Sequence, residues 1–317
     1  MNLLNKRKKI TMEKIGFDLE RIESLEDLLL ELRRVGFSAT ALSKGYEIIQ
    51  RMKEEKALTI LTFTSNMVSS GLRDLFAELA KEKFVDLIIT GAGSVEEDIM
   101  KTHKPFLLGS FYLSDSELHK KGINRIGDIL VPNERYIWFE KFFTRFLEKI
   151  YKKTKIISPS DLIFELGKEV KDEKSILYWA TKNNIPIFCP AITDGAIGLN
   201  LFVFKQDHRD FSIDVTGDMK KLANIVLSAE KTGAIILGGG FAKHHALGIN
   251  LPRGGLDYAV YVSTAIEEDG SLSGARPREA VSWGKINQKA RFVSIFGDAT
   301  IIFPLLIIPF LKKVKVK

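Results

Sequence analysis

The chain has 317 residues, 45% hydrophobic and 27% charged, a balance that supports one large core and excludes a wholly disordered chain. The net charge of +7 is spread over lysine-rich stretches, with no finger-spaced Cys and His and no aromatic-laced strand signature. It therefore reads as solvated surface, and no nucleic-acid partner is expected. One cysteine, Cys189, excludes an internal disulfide and a cysteine-built zinc site, and suits a reducing cytoplasm.

Residues 1–15 form a basic N-terminal extension with no apolar run of signal-peptide length behind it. Ser24 with Asp27 three residues on, followed by Leu28 to Leu32, predicts a capped helix. Six short apolar runs then read as buried parallel strands: Leu58 to Phe63, Val85 to Thr90, Ile185 to Cys189, Ala234 to Leu237, Tyr258 to Val262 and Phe292 to Phe296. Helical spacing alternates with them over Leu72 to Lys83, Asp172 to Asn183 and Met219 to Lys231. The aromatic, basic stretch from about Arg135 to Lys155 reads as helices packed on the sheet edge. Ile301 to Leu311 is apolar but only about half the ~20 residues a membrane helix needs, and Pro304 and Pro309 interrupt it; a buried segment is expected, and no membrane contact. A basic tail follows at 312–317. The expectation is one α/β domain over 1–317: a doubly wound, mostly parallel, Rossmann-like sheet with appended helices.

Such sheets bind ligands at the carboxyl ends of their strands. Four strand-end loops stand out: Thr64-Ser65-Asn66, Gly91-Ala92-Gly93-Ser94 with Glu96, Glu97 and Asp98 behind it, Gly238-Gly239-Gly240, and Asp298. Glycines there let a pyrophosphate approach the backbone, and a carboxylate can accept from a ribose diol. The spacing is not the dinucleotide fingerprint, so plain tight turns explain the glycines equally well. Lys243-His244-His245 holds the only His pair, but neighbouring residues diverge and no third ligand sits at helical spacing; no metal is expected, and one His as general base fits better. The stretch from Glu267 to Lys285 has the composition of a charged loop, except that Trp283 stands beside Gly284 and Lys285. A Trp face attracts an alkylammonium, and a lysine desolvated against such a wall is a nucleophile suited to imine formation.

Several segments resemble deoxyhypusine synthases in order: residues 64–71 (TSNMVSSG), 122–127 (GINRIG), 131–134 (VPNE), 238–245 (GGGFAKHH), 257–261 (DYAVY), and 273–285 (SGARPREAVSWGK), the last being highly specific. The likeness runs from about Gly16 to Leu306. It implies an NAD-dependent enzyme that takes the aminobutyl group of the polyamine spermidine through an imine on its own lysine to a lysine of the hypusine-bearing translation factor precursor. It also implies a homotetramer with active sites between paired subunits. Carried over by position, Lys285 is the imine-forming lysine and His244 the base, while Trp283 and Glu279 line the polyamine tunnel. Ser65, Ser69, Glu97, Asp194, Gly239, Gly240, Asp269, Ser273 and Asp298 hold NAD.

The chain departs from the family pattern at four positions. Leu199 and Leu272 stand where amine-binding aspartates are usual, Gly248 where an asparagine is, and Gly91 where a threonine is. Two lost carboxylate contacts cost roughly 3–6 kcal/mol, or about two to four decades in affinity. Two further readings therefore stand beside the first. One is an enzyme of the same scaffold with another amine donor or a free diamine acceptor, as in homospermidine synthase. The other is a non-catalytic NAD-binding paralogue that regulates an active partner.

Overall fold

The computed structural model describes residues 14–315; most of the basic N-terminal extension, and the last two residues of the basic tail, lie outside that range. Eleven strands occur among the described residues: β1 (Leu58–Thr62), β2 (Leu87–Ile89), β3 (Leu107–Leu108), β4 (Ile123–Ile126), β5 (Ile129–Pro132), β6 (Ile156–Ile157), β7 (Ile187–Phe188), β8 (Ser212–Ile213), β9 (Thr232–Leu237), β10 (Leu256–Ser263) and β11 (Ile286–Phe296). Six form one sheet in the order β11-β10-β9-β1-β2-β7, every pairing parallel. These are the six runs read from the sequence. From the other edge the order is third, second, first, fourth, fifth, sixth, the doubly wound dinucleotide order, with its switch point between β1 and β9.

Period-two geometry sorts each strand between two cores. Leu61, Ile88, Ile235 and Val260 pack on one face with Phe76, Phe143 and Phe303 from covering helices. Ile60, Ile89, Ile236 and Tyr261 pack on the other with Leu222, Val226, Ala242 and Ala246. Runs apolar on both faces are what this double burial requires.

Three local expectations change. The C-terminal segment is one helix, Ala299–Lys315, with Pro304 and Pro309 inside it rather than breaking it. Burial of Phe303, Leu306, Ile307 and Leu311 supplies the packing that offsets the lost backbone bonds. Arg135 to Lys155 is a single helix, Asn133–Lys153, that packs on the helices Ala92–His103 and Gly195–Asp207 rather than on the sheet edge. A three-stranded antiparallel sheet, β3-β5-β4, and a two-stranded one, β6-β8, have no counterpart in the sequence reading. Their strands are too short to show a period. The helix Leu25–Glu31 does carry its expected cap: Ser24 accepts from the Asp27 amide at 3.1 Å. No helix among the described residues is long and apolar enough to cross a membrane.

Candidate active site

All six sheet strands end on one edge, so the loops after β1, β2, β7, β9, β10 and β11 face the same side. After β1 comes the short helix Asn66–Ser69. Its Ser69 hydroxyl donates to Glu97 Oε2 at 2.5 Å, which joins the first loop to the helix after β2. A Cβ on Gly93 would lie 2.8 Å from Ser65 Cβ, so only glycine lets these loops close together. Lys101 caps the short helix from below, donating to the carbonyls of Val68, Ser69 and Ser70 at 2.5–2.8 Å. Burial pushes the Glu97 carboxyl up to about 7, against the Ser69 bond and the Lys101 charge. Burial lowers Lys101 to about 8.

The loop after β7 is set by a neighbour. Glu96 accepts from the Ile197 amide at 2.8 Å, and burial raises its pKa. It thus caps the helix Gly195–Asp207 in place of Asp194, which holds the N-cap position without making a side-chain cap. Asp194 is left exposed at the strand end. Gly195, at φ +76°, passes so close that a Cβ would lie 2.7 Å from Glu96 Oε1.

At the switch point, Gly239 lies against the loop after β10: a Cβ there would fall 2.4 Å from Ser273 Cα. Gly240, at φ +69°, opens the helix Gly240–Ile249. On that helix Lys243 is buried, His244 exposed and His245 half-buried, so the three diverge as expected of adjacent helical residues. Two of the expected strand-end carboxylates are engaged locally. Asp269 accepts from the Ser271 amide at 2.6 Å, and Asp298 from the Thr300 amide at 2.7 Å. Both remain exposed.

Glu279 and Trp283 belong to the short helix Pro277–Ser282 and its C-cap, on the opposite face of the sheet from the C-terminal helix. Lys285 Nζ stands 5.3 Å from the Trp283 ring centroid. Trp283 is 66% exposed, so this wall is open on one side. Lys285 precedes Ile286, which pairs with Leu256 at the start of β10. The eight residues of β10 then rise about 23 Å to the loop edge. The structure therefore gathers Ser65, Ser69, Glu97, Asp194, Gly239, Gly240, Ser273, Asp269 and Asp298 along one edge and leaves Lys285 at the far end of the strands.

Sequence reasoning named Glu96 and Lys243 by position without foreseeing their internal bonds, and missed Lys101 altogether. Asp98, named too, is another such support, accepting from Arg73 Nε at 2.5 Å, Ser175 Oγ at 2.7 Å and the Leu177 amide at 2.9 Å. The one available signal was three consecutive acids behind a glycine loop, more charge than a helix N-terminus needs.

Comparison with known proteins assigns the chain to a family. The deoxyhypusine synthase family profile matches residues 27–309. A protein of Pyrococcus abyssi named "Probable deoxyhypusine synthase" is 48% identical over 306 residues, 91% of each chain. One of Thermococcus onnurineus with the same name is 50% identical over the same length and coverage. The crystal structure of a "putative deoxyhypusine synthase" from Entamoeba histolytica superposes with a TM-score of 0.65 at 27% identity, covering 92% of this chain and 94% of that one. The chain belongs to the deoxyhypusine synthase family.

Proposed function

We propose that the protein is a cytoplasmic deoxyhypusine synthase that uses NAD to transfer the aminobutyl group of spermidine to a lysine of its translation factor substrate. The observation that carries this is Lys285 beside Trp283 on a fold whose switch-point loops suit a dinucleotide. The fit rests on features of this chain: glycines at 239 and 240 where side chains would clash or strain, and an exposed Asp194 that makes no side-chain cap and lies near the buried Glu96. When bound, NAD would supply the hydride acceptor for the carbon next to the secondary amine, and as NADH the matching donor. His244 takes the amine proton in that step. The Lys285 amine then attacks the resulting imine, 1,3-diaminopropane leaves, and the aminobutyl group is held on Lys285 as a new imine. The substrate lysine displaces Lys285, which leaves as its free amine, and with the same cofactor as hydride donor the sequence would be redox-neutral and end in a stable secondary amine. Trp283 holds the alkylammonium by its face and Glu279 by its charge.

Because Lys285 lies a strand's length from the cofactor loops, we read the working site as shared between two copies in a homotetramer. Leu199 is 63% exposed in line with Phe202 and Val203, an apolar surface that suits a covered interface better than an open one. The family match and the near-half identity of the relatives favour this transferase over a free-diamine enzyme or a non-catalytic paralogue.

The test is a borohydride trap. The protein is incubated with NAD and spermidine, putrescine or agmatine, reduced, and weighed. A spermidine-derived adduct that maps to Lys285 and is absent in Lys285→Ala is expected. An adduct only with another amine would move the donor, and no adduct alongside normal NAD binding would sink the catalytic reading.

A further inference from the structure

Lys243 precedes His244 but points the other way, and its side chain is 1% exposed. Among the described residues its hydrogen-bond partners are two carbonyls, not a carboxylate. The ammonium donates to Leu272 O at 2.7 Å and to Ala275 O at 2.6 Å, and stands 4.5 Å from the Tyr261 ring centroid. Those carbonyls bracket Ser273, the residue whose Cα fills the space beside Gly239. The turn is closed on itself by the Gly274 and Ala275 amides, both donating to Ser271 O at 3.1–3.2 Å. Outside it the loop is held by Arg276, which donates to Glu267 at 2.9 Å and Ser294 at 3.0 Å, while residues 267–271 are exposed. Lys243 is the fully buried tie to the loop; the half-buried Ser263 hydroxyl adds one long bond, to Ser273 O at 3.5 Å.

A buried cation is costly, and an apolar side chain of the same length is often no worse for stability. Burial lowers this ammonium to about 8, with Glu279 opposing the shift and Arg276 adding to it, so it stays charged at neutral pH. What the charge adds is two strong, directional bonds to loop backbone. We propose that Lys243 is a positioning residue that fixes the loop carrying Asp269 and Ser273 against Gly239 and so sets the affinity for NAD, without touching the cofactor. The link to NAD rests on reading these loops as the cofactor site; the link to loop order does not.

Lys243→Met keeps the length and removes the donors. In the full chain we expect amide hydrogen exchange over residues 264–276 to speed by about tenfold, and the NAD Kd to rise by at least about tenfold, the loss of one to two charge-assisted bonds. Exchange elsewhere and the thermal midpoint stay near wild type. Lys243→Arg, cationic at every pH used, separates the charge from the fold: above about pH 8 the wild type loses loop protection that this variant keeps, and titration of Lys101 cancels in the comparison. Unchanged loop exchange in Lys243→Met, or destabilisation spread over the whole chain, overturns the proposal. Parallel behaviour of wild type and Lys243→Arg above pH 8 overturns it as well. A wild type that binds no NAD defeats the cofactor reading instead, and loop exchange still decides the role of Lys243.

Discussion

At Glu97 one buried carboxyl bears on stability and, in the proposed cofactor site, on binding. Its folded value of about 7 lies above the ordinary 4.5. Below the ordinary value the group is neutral in both states. As pH rises toward 7 the unfolded chain ionises first, so stability falls across that window, by about 3 kcal/mol in all. Glu97→Gln removes the penalty: its thermal midpoint should match wild type near pH 5 and exceed it near pH 8, as differential scanning calorimetry would show. Binding has the opposite sign. Only the ionised carboxylate is a pure acceptor for a ribose diol, so NAD affinity should rise through pH 7 in wild type and stay flat in Glu97→Gln. A wild-type affinity independent of pH would remove Glu97 from the cofactor site.

Elements were legible wherever double burial wrote a continuous apolar run, which is why β1, β2, β7, β9 and β10 could be read directly. β11 was read only over its second half. Its first half, Asn287 to Ala290, is polar and partly or fully exposed, and the register with β10 slips there. That hidden half is also why sequence spacing could not show Lys285 at the far edge: Lys285 reads as near the loops when the strand seems to start at Phe292. The loops themselves were legible because glycines after apolar runs mark strand ends, whereas the buried ties beneath them were not. Gly239 is where an element-scale test bites. Gly239→Ala puts a methyl onto Ser273 backbone rather than onto a yielding side-chain tip. The loop must move, and NAD affinity should fall about a hundredfold by titration calorimetry with far-UV circular dichroism unchanged, a cost of roughly 3 kcal/mol typical of overpacking.

At the scale of the molecule, the proposed cofactor loops and Lys285 lie at opposite edges of the sheet, and in the proposed oligomer two copies related by a twofold axis can bring opposite edges together. Glu97→Ala spoils one half-site and Lys285→Ala the other. Each alone should be inactive, while a mixture refolded or co-expressed together should recover roughly a quarter of wild-type activity, the statistical share of sites with both halves intact. Mixed oligomers with no activity would put the complete site within one chain. The lone thiol offers a different view of the molecule. Cys189 is fully buried at the end of β7, and burial drives its pKa far above the ordinary thiol value. The native chain is therefore nearly inert to alkylating reagents, and each molecule that does react has first opened around its own sheet. The protein carries its own clock: one slow, single-hit labelling rate reports how often the core opens, and how far a bound ligand or a second subunit slows it.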